Sequence, residues 1–213
     1  LDLKANGKRI SNVVFMGMGE PLLNEEAVYN ACDLLLDDLS FGLSRRRVTI
    51  SSSGVVPALE RMSQRVPISL AISLHAANDT LRDELVPINQ KYPIKELMKA
   101  CDVYLNAGTQ ERHILFEYVM LKGVNDSIED AQQLAKLLKG VSVKVNLIPF
   151  NPFPQSKYQT SSTTTIEKFQ NALFSQGIRT MTRRTRGEDV DAACGQLAGK
   201  VKDKTKRTDA RRN

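Results

Sequence analysis

Val13-Val14-Phe15-Met16-Gly17-Met18-Gly19-Glu20-Pro21 is the stretch on which the reading of this chain turns. Four apolar residues in a row, bounded by glycines, predict a short strand buried on both faces, as in a parallel sheet. Two glycines and a proline then end the strand abruptly and leave Glu20 on the loop beyond its carboxyl end. Sheets and barrels of the α/β class bind their ligands at that end, and a carboxylate there suits an ammonium group. Gly17-Met18-Gly19 also begins a dinucleotide fingerprint, but that pattern needs a third glycine where Leu22 stands, and Pro21 is awkward beside it. A plain strand-to-helix turn is the alternative at this one position, since a lone Gly-x-Gly carries little information.

The same unit recurs along the chain. Asn24 stands where a helix N-cap is expected, Glu25 and Glu26 fall in the first turn, and Ala27, Ala31, Leu34 and Leu35 share one face before Gly42 closes the segment. Residues 48–50 predict a second strand, 56–62 a helix, and 68–74 a third strand running into Ser73-Leu74-His75. Asn78 caps a short helix that Pro87 stops, and Pro93 opens another whose stripe is Ile94, Leu97, Met98, Cys101, Tyr104 and Leu105. Residues 112–120 make the fourth strand, and Asp126 or Ser127 starts a helix to Lys139 with Gly140 as its stop. The fifth strand, 143–148, runs into Pro149-Phe150-Asn151-Pro152-Phe153-Pro154, a proline-stiffened loop that aims Asn151 above the sheet. Thr164 or Thr165 caps the last helix, and 178–182 is a sixth strand. Strands alternating with helices imply an α/β fold with a parallel sheet.

Polar residues punctuate strand after strand at the carboxyl end: Gly19 and Glu20, then Ser51, then Ser73 and His75, then Asn151. Convergence of several strand ends on one face is how a (β/α) barrel builds its active site. Ser51-Ser52-Ser53-Gly54 suits a ribose or a carboxylate, or else forms a polar turn that caps the next helix. His113 falls near the start of its strand, away from that face, and receives no role.

Composition sets the limits. The 213 residues, 41% of them hydrophobic, fit one domain with a small appendage. No apolar run is long enough to span a membrane, no signal peptide is present, and three cysteines scattered at 32, 101 and 194 point to a reducing, cytoplasmic setting. Most of the +6 net charge sits after residue 199, where seven basic residues face two aspartates. With Arg45-Arg46-Arg47, Arg183, Arg184 and Arg186, this suggests a polyanionic partner, nucleic acid first; a solvated terminus is the alternative. Cys32 and Cys101 lie on apolar helix faces and read as core. Cys194 differs: it sits in Asp191-Ala192-Ala193-Cys194-Gly195-Gln196, where small neighbours leave its sulfur unshielded, and it reads as functional.

Gly17-Met18-Gly19-Glu20-Pro21-Leu22-Leu23-Asn24, together with 69–75, 146–154 and 185–199, closely resembles the radical S-adenosylmethionine (SAM) methyltransferases that modify carbon 2 of adenine in bacterial 23S ribosomal RNA and transfer RNA. The resemblance covers essentially the whole chain. It implies a partial (β/α)6 barrel, incomplete because its first strand is missing, over residues 1–186, and a catalytic-cysteine loop with a basic extension over 187–213. It implies SAM as cofactor, with Gly19, Glu20, Ser51, Ser73, Leu74, His75 and Asn151 at SAM-contacting positions. Cys194 matches the cysteine that one SAM methylates; a radical made from a second SAM then activates that methyl group, which adds to the adenine ring. The implied protein is a monomer, acts on 23S rRNA and tRNA, and is not bound to a membrane.

One feature of the family is missing. Its 4Fe-4S cluster is held by a Cys-x3-Cys-x2-Cys motif, and this chain has none, so no metal ligand is assigned here. The resemblance places that motif, a second catalytic cysteine and a general-base glutamate upstream, and Leu1 at the start reads as the interior of a longer protein. The expectation is a methyltransferase in the longer protein and no activity in this chain alone. Alternatives are the carbon-8 adenine methyltransferase relatives, a metabolic barrel binding a phosphorylated metabolite, and an RNA-binding module without chemistry.

Overall fold

The computed structural model describes residues 10–107, 112–153 and 156–183. Cys194, the basic tail and the expected division at residue 186 lie outside the described residues. Strands β1 (Val13–Phe15), β2 (Val48–Ser52), β3 (Ser69–Ser73), β4 (Ile114–Met120), β5 (Val143–Pro149) and β6 (Arg179–Thr182) form one sheet in the order β1-β2-β3-β4-β5-β6. Every neighbouring pair is parallel. Parallel neighbours need crossovers, and these carry helices α1 (Glu25–Leu36), α2 (Val56–Arg65), α3 (Asp79–Leu85), α4 (Ile94–Asn106), α5 (Ile128–Leu137) and α6 (Thr163–Ser175). Among the described residues β1 and β6 do not pair with each other, so the sheet stays open.

Residues in register share a face, and the two faces differ in chemistry. Val48, Ile50, Leu70, Ile72, Ile114, Phe116, Val145 and Leu147 are buried on the helix side, in one core with Leu59, Met62, Leu97, Leu134 and Phe169 from the helices. Each such side chain contributes about 1.5–3 kcal/mol when fully buried. The other face carries Ser51, Ser73, Glu117 and Asn146: Ser73 is in register with Glu117, Glu117 with Asn146, and Ser51 bonds to Glu117 across β3. Val14, Ala71 and Leu115 share this inner face by register, so it is mixed where the helix side is apolar.

Several boundaries differ from the sequence-based expectation. β1 is not buried on both faces: Val14 is 54% exposed, because β1 pairs only with β2 and its side chain projects on the open inner face. Asn24 makes no side-chain cap; Glu20 instead caps the short turn Pro21–Leu23 that precedes α1. α1 stops at Leu36, well before Gly42, since Asp37 turns extended and its Oδ1 accepts the Leu39 N–H at 2.8 Å. Pro93 is the N-cap of α4 rather than its first residue, and Ser162, not a threonine, caps α6. Asn78 and Ser127 cap α3 and α5 as expected, the latter in a reciprocal box with Asp130.

Candidate active site

The Glu20 loop is built for its carboxylate. Gly19 has φ +84, a left-handed backbone that a side chain would strain, and it turns the chain out of β1. Glu20 Oε1 accepts the Leu22 N–H at 3.1 Å, and Oε2 accepts both the N–H and the hydroxyl of Ser53, each at 2.7 Å. Three donors from two strand ends fix one carboxylate at the carboxyl end of the sheet. Ser53 thus spends its donors on the chain's own carboxylate; the polar turn of the alternative reading forms through Ser52, without capping the next helix, whose N-cap Val55 has no side-chain hydrogen bond.

The other serines have separate tasks. Ser52 Oγ accepts the Gly54 N–H at 3.0 Å and closes the turn after β2. Ser51 Oγ donates to Glu117 Oε2 at 3.3 Å on the inner face. Glu117 is only 8% exposed, and burial raises its pKa against the lowering effects of the Ser51 hydroxyl and Arg183. Sequence reading missed Glu117: alternation in β4 placed it opposite the core residues, but nothing local marked it as part of a site.

His75 stands just past β3 with φ +61, the one non-glycine residue in the left-handed region among those described. Such conformations cost about 1–3 kcal/mol and gather at functional sites. Its Nδ1 accepts the Val119 N–H at 3.2 Å, which leaves the proton of the neutral ring on Nε2. Burial, then the Arg82 charge, lower its pKa to about 4, against a smaller opposing effect of the Glu117 backbone. At neutral pH His75 is therefore an uncharged N–H donor.

Two buried side chains that sequence reading passed over hold the β3 end. Asn125, fully buried, donates to the carbonyls of His75 (2.9 Å) and Val119 (2.7 Å) and accepts the Leu121 N–H at 2.8 Å. Arg82, equally buried, donates to the carbonyls of Ser73 and Leu74, each at 3.1 Å, while the Leu74 N–H reaches the Glu117 carbonyl at 3.0 Å. Leu74 itself is fully buried, and its N–H and carbonyl are both engaged within the chain, so the structure gives this expected contact position no group free for a ligand.

Asn151 follows β5 at the same end of the sheet, half-buried, and its side chain makes no hydrogen bond among the described residues. The phenylalanines of its loop pack on each other (centroids 6.2 Å apart), and Phe150 meets Tyr158 edge-on at 6.3 Å. Thr160 Oγ1 donates to the Phe150 carbonyl at 2.7 Å. The loop is pinned by its own aromatic cluster, leaving the Asn151 amide open. His113, by contrast, bonds to Ser142 at the opposite end of the sheet.

The donor set fits one implied group and not the other. An anchored anion, an N–H donor and an amide without a partner among the described residues, at the carboxyl ends of β1, β3 and β5, have the chemistry to meet the ammonium and other polar groups of SAM. A cluster has no such fit: among the described residues no three of His, Cys, Asp and Glu could hold a metal. Cys32 and Cys101 are fully buried, and burial pushes their thiols up to about 11 and about 12, so neither supplies a thiolate.

Known proteins share this architecture. Over 82% of the chain, a domain of pyruvate-formate lyase-activating enzyme from Bacteroides vulgatus ATCC 8482 superposes with a TM-score of 0.60 at 17% identity, covering 99% of that domain; at that identity the likeness speaks to fold alone. The crystal structure of a radical SAM methyltransferase from Sphaerobacter thermophilus covers 92% of this chain with a TM-score of 0.85 and 42% identity, and the match takes in 57% of that protein. Over 211 residues, 99% of its length, the chain is 77% identical to a protein named dual-specificity RNA methyltransferase RlmN from Ruthia magnifica subsp. Calyptogena magnifica. It is 74% identical over the same span to the protein of that name from Vesicomyosocius okutanii subsp. Calyptogena okutanii (strain HA). The chain spans 59% of the length of each of these two relatives. Residues 2–138 match the pattern of the radical SAM superfamily, and with a parallel six-stranded sheet whose strand ends converge on an anchored carboxylate, the chain belongs to that superfamily.

Proposed function

We propose that the chain is the SAM-binding, cysteine-bearing part of an RNA methyltransferase that modifies carbon 2 of adenine in 23S rRNA and in tRNA. The observation that carries this reading is the 77% identity, over nearly the whole chain, to a dual-specificity RNA methyltransferase. The site geometry supports the SAM-binding part of this reading. Glu20, fixed by Ser53 and Leu22, receives the SAM ammonium, and charge-assisted contacts of this kind are the stronger ones. Gly19 allows close backbone approach. Ser51 and Ser73 line the floor, with Leu74 packed beneath them, His75 donates from Nε2, and the Asn151 amide reads the adenine edge.

Cys194 supplies the nucleophile. Its thiolate attacks the SAM methyl carbon; the new S–C bond forms as the sulfonium–methyl bond breaks, and that bond's electrons stay with the departing S-adenosylhomocysteine. The 4Fe-4S cluster of the superfamily supplies one-electron chemistry when bound. The described residues offer it no ligand set, so no step is assigned to them there. The basic residues after position 199 serve the RNA backbone.

The test is Cys194→Ala in this chain joined to the N-terminal portion of the Ruthia relative, with mass spectrometry of adenosine from treated RNA. Methylation at carbon 2 by the parent and none by the variant is the expected result. Carbon-8 product would reassign the chain to the sister activity, and full product from the variant would remove Cys194 from the mechanism.

A further inference from the structure

We propose that Arg82 is the positioning residue of the SAM site, holding Glu20 in place through Ser53; this rests on Glu20 being the receiver of the SAM ammonium. Arg82 is fully buried, which is rare for arginine, and its donors go to strand ends. Nε reaches the Leu74 carbonyl at 3.1 Å, and Nη2 reaches the carbonyls of Ser53 (2.8 Å) and Ser73 (3.1 Å). Ser53 in turn gives both its N–H and its hydroxyl to Glu20. One guanidinium thus ties the ends of β2 and β3 together and fixes the residue that fixes the carboxylate.

Arg82 Nη1 donates to Asn89 Oδ1 at 2.8 Å, and Asn89 Nδ2 passes the charge relation outward to Asp79 (2.9 Å) and Asp83 (2.6 Å). The approach to Ser53 depends on Gly54: a Cβ there would lie 3.4 Å from Arg82 Nη2 and 3.3 Å from Leu97 Cδ1. A side chain without these donors would leave the carbonyls of Ser53, Ser73 and Leu74 and the Asn89 Oδ1 without this partner. The planar fork spreads its donors over three nitrogens in a fixed geometry, which the single nitrogen of a lysine does not reproduce.

The test is amide hydrogen exchange of the unliganded chain, comparing Arg82→Lys with the parent. The expected result is exchange faster by about tenfold or more at the Ser53 and Leu22 amides, which both donate to Glu20, with the amides of Ile50 and Ile72 unchanged. Uniform acceleration through β2, β3 and α4 would mean that Arg82 only stabilises the fold, and unchanged Ser53 and Leu22 would overturn the link to Glu20. Should Arg82→Lys fail to fold, Asn89→Ala, which removes one acceptor and leaves the charge, carries the same expectation. S-adenosylhomocysteine binding gives the functional arm: Arg82→Lys and Glu20→Gln each weaken it about tenfold, and the double variant binds no worse than Glu20→Gln alone. Additive losses would contradict the relay. Local exchange as expected with no binding by the parent would sustain the positioning of Glu20 and defeat the SAM reading.

Discussion

Acidification should destabilise the chain through His75, by an amount the structure lets one estimate. The folded ring has its pKa lowered to about 4, against 6.5 in the unfolded chain. Between those values the unfolded state binds a proton that the folded state refuses, so stability rises with pH in this window and is lost as pH falls through it. From pH 7 to pH 5 the loss from this one group is about 2 kcal/mol, growing to about 3 kcal/mol below the folded pKa. Glu117 works the other way: its raised pKa gives stability on acidification that fades as pH rises. A comparison with His75→Asn removes that contribution. Asparagine tolerates the left-handed backbone, and its oxygen can accept the Val119 N–H that Nδ1 now accepts. Urea unfolding at pH 7 and pH 5 should show the parent losing about 2 kcal/mol more than His75→Asn. Equal losses would refute the account of a neutral, Nε2-protonated imidazole at the site.

Two further outcomes concern the packing around the site. Gly54→Ala forces a side chain onto φ +111 and against Leu97 and Arg82, and should cost about 1–3 kcal/mol in thermal or urea unfolding. Cys32 and Cys101, with thiols pushed up to about 11 and about 12, should resist iodoacetamide at pH 7 until the chain is unfolded, so that mass spectrometry of the folded chain finds fast labelling at Cys194 alone.

What sequence reading reached and what it missed follow from the range of the interactions involved. Strand periodicity and polar strand ends are local signals, and they located all six strands and the Glu20, Ser51 and His75 positions on one end of the sheet. Glu117 and Arg82 act through partners far away in sequence, Ser51 and Ser53 respectively, so no local pattern revealed them. Asn125 carries no local signal either, since its partner, the His75 carbonyl, lies 50 residues away. Helix ends were misread where a side chain competed with the backbone, as Asp37 does after α1. The edge position of β1 could not be read from four apolar residues, because burial of a strand depends on its neighbours rather than on its own composition.

The central claim is that Glu20 is held ready for the ammonium of SAM. Isothermal titration of this chain with S-adenosylhomocysteine, and with the analogue lacking the amino group, tests it most directly. The account predicts binding of the first to the parent, and a loss of about 10- to 100-fold when either the amino group or the Glu20 charge (in Glu20→Gln) is removed, the worth of a charged hydrogen bond. Removing both together should cost little more than removing one. Equal binding of the two compounds to the parent would contradict it.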